Sequence, residues 1–311
     1  MPPITIDIEA KADVLEWLDT PDGFRLRTAV FRATARPHKG SILLLQGRNE
    51  ALEKYDLVID DLRTRGFDVV SFDWRGQGRS TRFFANGRRG YVDDFEQYAK
   101  DLELVFARIA LPEARPPFFV LAHSMGGLVA LYTAPRLINR LHRMVLASPF
   151  IALGDETLST GQMHTLSSVL CFAGLGNMYL AGGNAGSRAT QFINNRLTTD
   201  LDRFEHNRAL MDPEHGLGIG GPTASWLHAC TNAMAVIANP DHYARIHIPT
   251  LIVGSGADTI VSNSAIEDYA RRLRSGAMIM IDGARHELMQ ESPFYRSQFF
   301  AAFDAFVPGS D

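Results

Sequence analysis

An α/β architecture, with a mostly parallel central sheet, helices on both faces and an inserted segment, is what three features of this 311-residue chain predict. Short apolar runs alternate with longer segments at helical spacing up to Pro149. The alternation stops between about Phe150 and about Thr223, where Gly, Asn, Ser and Thr accumulate, and a strand of the earlier type returns only at "IPTLIVGSGAD". Parallel strands need a crossover, and strands buried on both faces lose their polar alternation, so this succession reads as a covered parallel sheet interrupted by an insertion.

The elements follow in order. "SILLLQG" (Ser41 to Gly47) is an apolar strand that stops at glycine. In "EALEKYDLVIDDLRTRG" after it, Leu52, Tyr55, Ile59 and Leu62 recur at three and four, with Val58 widening the same face, so a helix follows and closes at Gly66. "FDVVSFDW" is the next strand and "YVDDFEQYAKDLELVFARIA" the next amphipathic helix. "PFFVLAHS", "MGGLVALYTAPRLI" and "RMVLASP" repeat the unit. Residues 150–223 are too long and too apolar for a linker, which divides the chain into a core, 1–149 with 224–311, and an insertion with scattered helical patches, 150–223. Beyond it come "AIEDYARRLRSG" as helix, "AMIMIDGARHEL" as strand and loop, and "FYRSQFFAAFDAF" as a closing helix.

Composition removes several function classes. A formal charge of −4, from 31 basic and 35 acidic residues, provides no basic field for nucleic acid. Cys171 and Cys230 stand far apart without a CxxC pair, which speaks against structural zinc and against a disulfide framework. His164, His206, His215 and His228 lack metal-ligand spacing, so neither metal nor cofactor is expected. The start "MPPITIDIEAKADVLEWLDT" is acidic where a signal peptide needs a basic flank and a long apolar run. "LSSVLCFAGLGNMYLAGG" is broken by small and polar residues and makes a poor membrane span. A cytoplasmic protein is expected.

The chemistry centres on "LAHSMGG". Ser124 falls where a strand meets a helix, and a tight turn there lifts its hydroxyl above the sheet edge, provided that the positions two before and two after are small. Ala122 and Gly126 meet that demand, although glycine is usual at the first. A serine hydroxyl is almost un-ionised at neutral pH and needs a base, which in turn needs an orienting acid. Asp258 and His286 each lie just past an apolar strand, in the order serine, acid, histidine. Of the rivals, Asp282 precedes a "GAR" turn, Asp73 belongs to the loop-shaping string "DWRGQGRS", and His123 should point away from a cleft that the serine faces. The oxyanion donors expected are the backbone N–H groups of Met125 and Arg48.

"LLQGRNEALEKYDLVIDDLRTRGFDVVSFDWRGQGRS", "LAHSMGG", "GADTIVS" and "GARHEL" together resemble the lysophospholipase and monoacylglycerol lipase branch of the α/β-hydrolases, and most closely its bacterial lysophospholipases. The resemblance covers the chain before Pro149 and its last sixty or so residues, and fades between. It implies a serine hydrolase of single-chain lipid esters with a cap after the sixth strand. Monoacylglycerol lipases begin the oxyanion loop with His-Gly, whereas this chain has Gln46-Gly47, as in the lysophospholipase-like form. Carried over by position, Glu50 and Lys54 would lie one helical turn apart beside that loop and orient a polar head group. An exposed helix-stabilising pair is the plainer alternative.

Leu166, Val169, Leu170, Phe172, Leu175, Met178, Tyr179 and Leu180 leave three readings open: a tunnel for an acyl chain, a surface touching a membrane, or packing of the cap on the core. Each buried methylene is worth about 0.8 kcal/mol, so eight carbons would supply roughly 6 kcal/mol before ordering costs. Fold and triad do not select the leaving group, so a carboxylesterase, thioesterase or peptidase remains the alternative within enzymes. A non-catalytic binding protein would carry a broken triad, and all three members are present.

Overall fold

The strands are β1 (Val14–Asp19), β2 (Arg25–Phe31), β3 (Gly40–Leu45), β4 (Phe67–Phe72), β5 (Phe118–His123), β6 (Arg143–Ala147), β7 (Thr250–Ser255) and β8 (Gly276–Ile281). They form one open sheet in the order β1-β2-β4-β3-β5-β6-β7-β8. This computed structural model describes residues 7–85, 87–154, 158–180, 183, 191–212 and 216–307. His215, the first six residues and parts of the 150–223 segment lie outside the described residues.

β2 is antiparallel to both its neighbours, and every pairing from β4–β3 to β7–β8 is parallel. The hairpin β1–β2 is absent from the expectation above, which begins at Ser41. Its signal is present: "TPDG" separates two runs, and Gly23 takes φ +86°, a turn conformation open to glycine.

Buried strands carry side chains on alternate faces, and here that alternation feeds two cores. Leu43, Leu45, Val120, Leu146 and Ile252 enter one, covered by the helices Phe95–Val105, Met125–Thr133 and Ala224–Ala238. Ile42, Leu44, Leu121, Val145 and Val253 enter the other, covered by the helices Asp56–Thr64 and Pro293–Phe306. The face predicted from Leu52, Tyr55, Val58, Ile59 and Leu62 is fully buried, although its first turn, Leu52–Tyr55, is a 3-10 helix. At roughly 25 cal/mol per Å² of apolar surface, such burial is the main force holding the serine-bearing strand rigid.

The chain leaves the sheet after β6 and returns at β7. Helices Thr160–Phe172, Leu201–Leu210 and Ala224–Ala238 lie in that interval. Among the described residues no helix is long and apolar enough to cross a membrane.

Candidate active site

Ser124 follows β5 and caps the helix Met125–Thr133, with φ +49° and ψ −115°. Such a backbone costs of the order of 1–3 kcal/mol in a non-glycine residue and persists only where its surroundings dictate it. They do so here: Ser124 N donates to Ala147 O at 3.1 Å, and Phe150 N donates to Ser124 O at 3.0 Å. A Cβ on Gly126 would stand 2.5 Å from Leu45 O and 2.6 Å from Gln46 O, so the helix can approach β3 only with glycine at that position.

His286 lies on the loop after β8. Its Nε2 is 2.9 Å from Ser124 Oγ, and its Nδ1 is 2.6 Å from Asp258 Oδ2. The arrangement assigns the proton to Nδ1, which donates to the carboxylate, and leaves Nε2 to accept the serine proton. Asp258 Oδ1 accepts from Ile260 N at 2.7 Å and Val261 N at 3.2 Å. Burial alone would raise the Asp258 pKa, but His286 and the two backbone donors outweigh it and hold the carboxyl below its usual range. The structure therefore brings Ser124, His286 and Asp258 together from three loops at one edge of the sheet.

The rivals are placed elsewhere. Asp73 is buried in a charge cluster, accepting from Leu52 N at 2.9 Å, Arg79 N at 2.8 Å and Arg27 Nε at 2.9 Å, which shapes the loop it starts. Asp282 is exposed before Gly283. His123 does not point clear of the cleft, contrary to the simplest reading of its neighbour's direction. Its ring centroid lies 4.8 Å from that of His286, and its Nδ1 is 3.2 Å from Ala147 O. Burial pushes its pKa down to about 4, so it packs as a neutral ring. His164 and His228 join the helices Thr160–Phe172 and Ala224–Ala238, through Asn232 and Ser168 respectively.

The loop carrying Arg48 is pinned on both sides. Gln46 O accepts from Trp74 Nε1 at 2.9 Å, Gly47 N donates to the Glu50 carboxylate, and Asn49 N donates to Gln77 Oε1 at 2.6 Å. Among the described residues neither Arg48 N nor Met125 N donates to a protein acceptor, which leaves both amides open to a ligand. The Arg48 side chain is not at the open surface. Its guanidinium lies 5.1 Å from the Trp226 ring and donates to Gly220 O at 2.6 Å, and burial lowers its pKa to about 10.

Glu50 and Lys54 are neither an exposed pair nor open head-group ligands. Glu50 accepts from Tyr55 Oη and Lys54 Nζ, each at 2.6 Å, and Lys54 donates also to Glu287 at 2.6 Å. Burial would raise the Glu50 carboxyl, but Lys54 and its other donors more than offset that and hold it below its usual range. Lys54 on the Leu52–Tyr55 turn and Glu50 just before it both point inward, so their polar atoms engage each other beside the Arg48 loop. Glu287, one residue past His286, has no periodic signal and was not anticipated.

The tunnel reading of Leu170, Phe172, Leu175, Met178 and Tyr179 is corrected. Phe172 is 97% exposed, Leu175 48% and Met178 43%, while Leu170 and Tyr179 are half-buried. None of these five lines either cavity at the site. The apolar wall around Ser124 comes instead from Phe150, Trp226, Leu227 and Ile260, in a cavity of about 230 Å³. The reason is the orientation of the helix Thr160–Phe172: it turns His164, Ser167 and Ser168 toward its helical neighbour and leaves its apolar row outward. A second cavity, of about 380 Å³, adjoins the first, sharing Arg48, Leu197, Pro222, Ile260 and Glu287.

Comparison with known proteins supplies the lineage. Lysophospholipase L2 of Escherichia coli is 28% identical over 305 residues, spanning 96% of this chain and 87% of that protein. The probable lysophospholipase L2 of Haemophilus influenzae is 28% identical over 267 residues, spanning 86% of this chain and 83% of its own. A soluble variant of monoglyceride lipase from Saccharomyces cerevisiae, solved with a substrate analogue, superposes with a TM-score of 0.78 at 18% identity, over 99% of each chain, a likeness of fold. The model of the family described as serine aminopeptidase, S33 matches residues 36–293. With its eight-stranded sheet and that match over most of its length, the chain belongs to this family of α/β-hydrolase enzymes.

Proposed function

We propose that the chain hydrolyses single-chain lipid esters, lysophospholipids foremost, through an acyl-enzyme on Ser124. The observation that carries this is the 2.9 Å contact between Ser124 Oγ and His286 Nε2, with Asp258 2.6 Å behind the imidazole. Ser124 attacks the ester carbonyl while His286 takes its proton, and the Arg48 and Met125 amides receive the oxyanion. His286 then protonates the leaving alcohol. Water, deprotonated by the same imidazole, attacks the acyl-enzyme, and the fatty acid leaves with the serine restored.

Two features favour a lipid with a polar head group over a peptide. The relatives above are named for lysophospholipids and monoglycerides. The larger cavity carries one carboxylate, Glu287, and Lys54 already engages it. An aminopeptidase needs an acidic anchor for the substrate ammonium, and a carboxylate already paired with Lys54 supplies none. Residues 150–223 act as the cap in this reading. The row Leu166, Val169, Phe172, exposed together with Leu175 and Met178, rests on the inner face of the membrane and places the site beside its substrate.

The test is a substrate panel on purified protein: lysophosphatidylglycerol, monoacylglycerol, p-nitrophenyl butyrate and an aminoacyl p-nitroanilide. Hydrolysis of the lipid esters, lost by about 10⁴-fold or more in Ser124→Ala, is expected. Turnover of the anilide alone, or undiminished turnover by Ser124→Ala, would overturn the assignment.

A further inference from the structure

The acid and base loops are joined by a segment from outside the sheet. Residues 195–199 return from the insertion and lie across the loop of His286. His286 N donates to Arg196 O at 3.4 Å and Glu287 N to Leu197 O at 2.8 Å, while Arg285 Nη1 donates to Thr198 O at 3.0 Å. The same segment reaches the acid loop, where Arg196 Nε donates to Thr259 Oγ1 at 2.6 Å, one residue past Asp258. Its own shape is set by Asn195, whose side-chain oxygen accepts from Leu197 N and Thr198 N.

Beneath it lies Glu291, with 0% exposure. Its carboxylate accepts from Thr199 Oγ1 at 2.6 Å, Thr199 N at 2.9 Å and Thr198 Oγ1 at 3.3 Å on the strap. On the base loop it accepts from Arg285 N at 2.8 Å, and from Ser292 N at 2.9 Å. Among the described residues this carboxylate has no ion-pair partner, so N–H and O–H donors from the two segments satisfy it. A buried carboxylate satisfied in this way holds every donor to a narrow geometry, because each lost hydrogen bond exposes the charge to an apolar interior.

We propose that the 195–199 strap and Glu291 are a positioning device for the proton relay: together they set the His286 loop against the Asp258 loop, so that a segment of the cap completes the alignment of the triad. Glu291 and Arg196 are positioning residues, since neither is placed against the reacting atoms. Asn195, Arg196, Leu197 and Thr198 also line the larger cavity, so a lipid head group seated there presses on the element that aligns the imidazole.

This inference rests on the hydrolase reading, and the test separates the two. Glu291→Gln keeps the shape but turns an amide NH₂ toward donors. At a temperature where circular dichroism shows the variant folded, kcat for p-nitrophenyl butyrate should fall about 10- to 100-fold with KM nearly unchanged, because sub-ångström misplacement of a base acts on the chemical step. Labelling by a fluorophosphonate should slow by a similar factor, and the acid limb of the kcat/KM profile should shift. A purely structural role would lower Tm and leave all three unmoved, which would overturn the proposal. If Glu291→Gln does not fold, Thr199→Val removes one donor and should lower kcat by a smaller factor; wild-type kcat in that variant would equally overturn it. Loss of all activity in Ser124→Ala alongside full activity in Glu291→Gln would refute the strap alone. Retained turnover in Ser124→Ala would refute the hydrolase reading beneath it.

Discussion

The helices Asp56–Thr64 and Thr160–Phe172 invert one another. The first buries Val58, Ile59 and Leu62 against the sheet and leaves its charged residues half-buried on its outer side. The second has Ser167 as its one buried residue and carries Val169 at 60% and Phe172 at 97% exposure. Helical spacing of apolar residues thus states that a face exists but not what covers it. Beside a sheet the answer is the sheet; on an inserted segment an apolar row can be left for a lipid surface.

The largest expected effect breaks the symmetry between two phenylalanines. Phe67→Ala in the sheet core should cost about 3–5 kcal/mol in denaturant unfolding, and Phe172→Ala should stay within about 0.5 kcal/mol. Equal losses would mean that Phe172 is covered in solution. Next comes the ion cluster of Glu50, Lys54 and Glu287 beside the Arg48 loop. Lys54→Met strands the Glu50 and Glu287 carboxylates and should cost about 3–5 kcal/mol by thermal melting, with part of the loss recovered by adding Glu287→Gln. No recovery would argue against the pairing of Lys54 with Glu287.

A smaller effect concerns acid. The folded pKa of His123 is depressed from 6.5 to about 4, so its neutral form is favoured by folding. Stability is full above about 6.5 and declines as pH falls toward about 4, by up to about 3 kcal/mol. His123→Asn should flatten Tm against pH across that window, and an unchanged slope would place the acid sensitivity elsewhere. The smallest change in stability sharpens the contrast most: Phe172→Glu should leave Tm almost unchanged while reducing co-sedimentation with phosphatidylglycerol vesicles several-fold. Undiminished binding would remove Leu166, Val169 and Phe172 from the proposed membrane contact.

Much of the fold was legible. The strands from Ser41 onward are continuous apolar runs, and the helices between them announce their inner faces, because burial on both sides of a parallel sheet leaves few other patterns. The β1–β2 hairpin was missed because "VLEWLD" and "RLRTAVF" mix charge with apolar residues at the antiparallel edge. In the site, Ser124, Asp258 and His286 could be read from their positions after strands. Glu287, Glu291 and the 195–199 strap could not, since their partners lie far away in the chain.

Local chemistry settled which residues make strands and helices, where the serine must sit on its turn, and the order of acid and base along the chain; these depend on neighbours within a few positions. Tertiary packing alone decided that Glu50 and Lys54 turn inward to each other, that the helix Thr160–Phe172 shows its apolar row to the outside, and that the strap joins the Asp258 and His286 loops. Those outcomes rest on desolvation and hydrogen bonds between segments distant in sequence, whose partners exist only once the chain has folded.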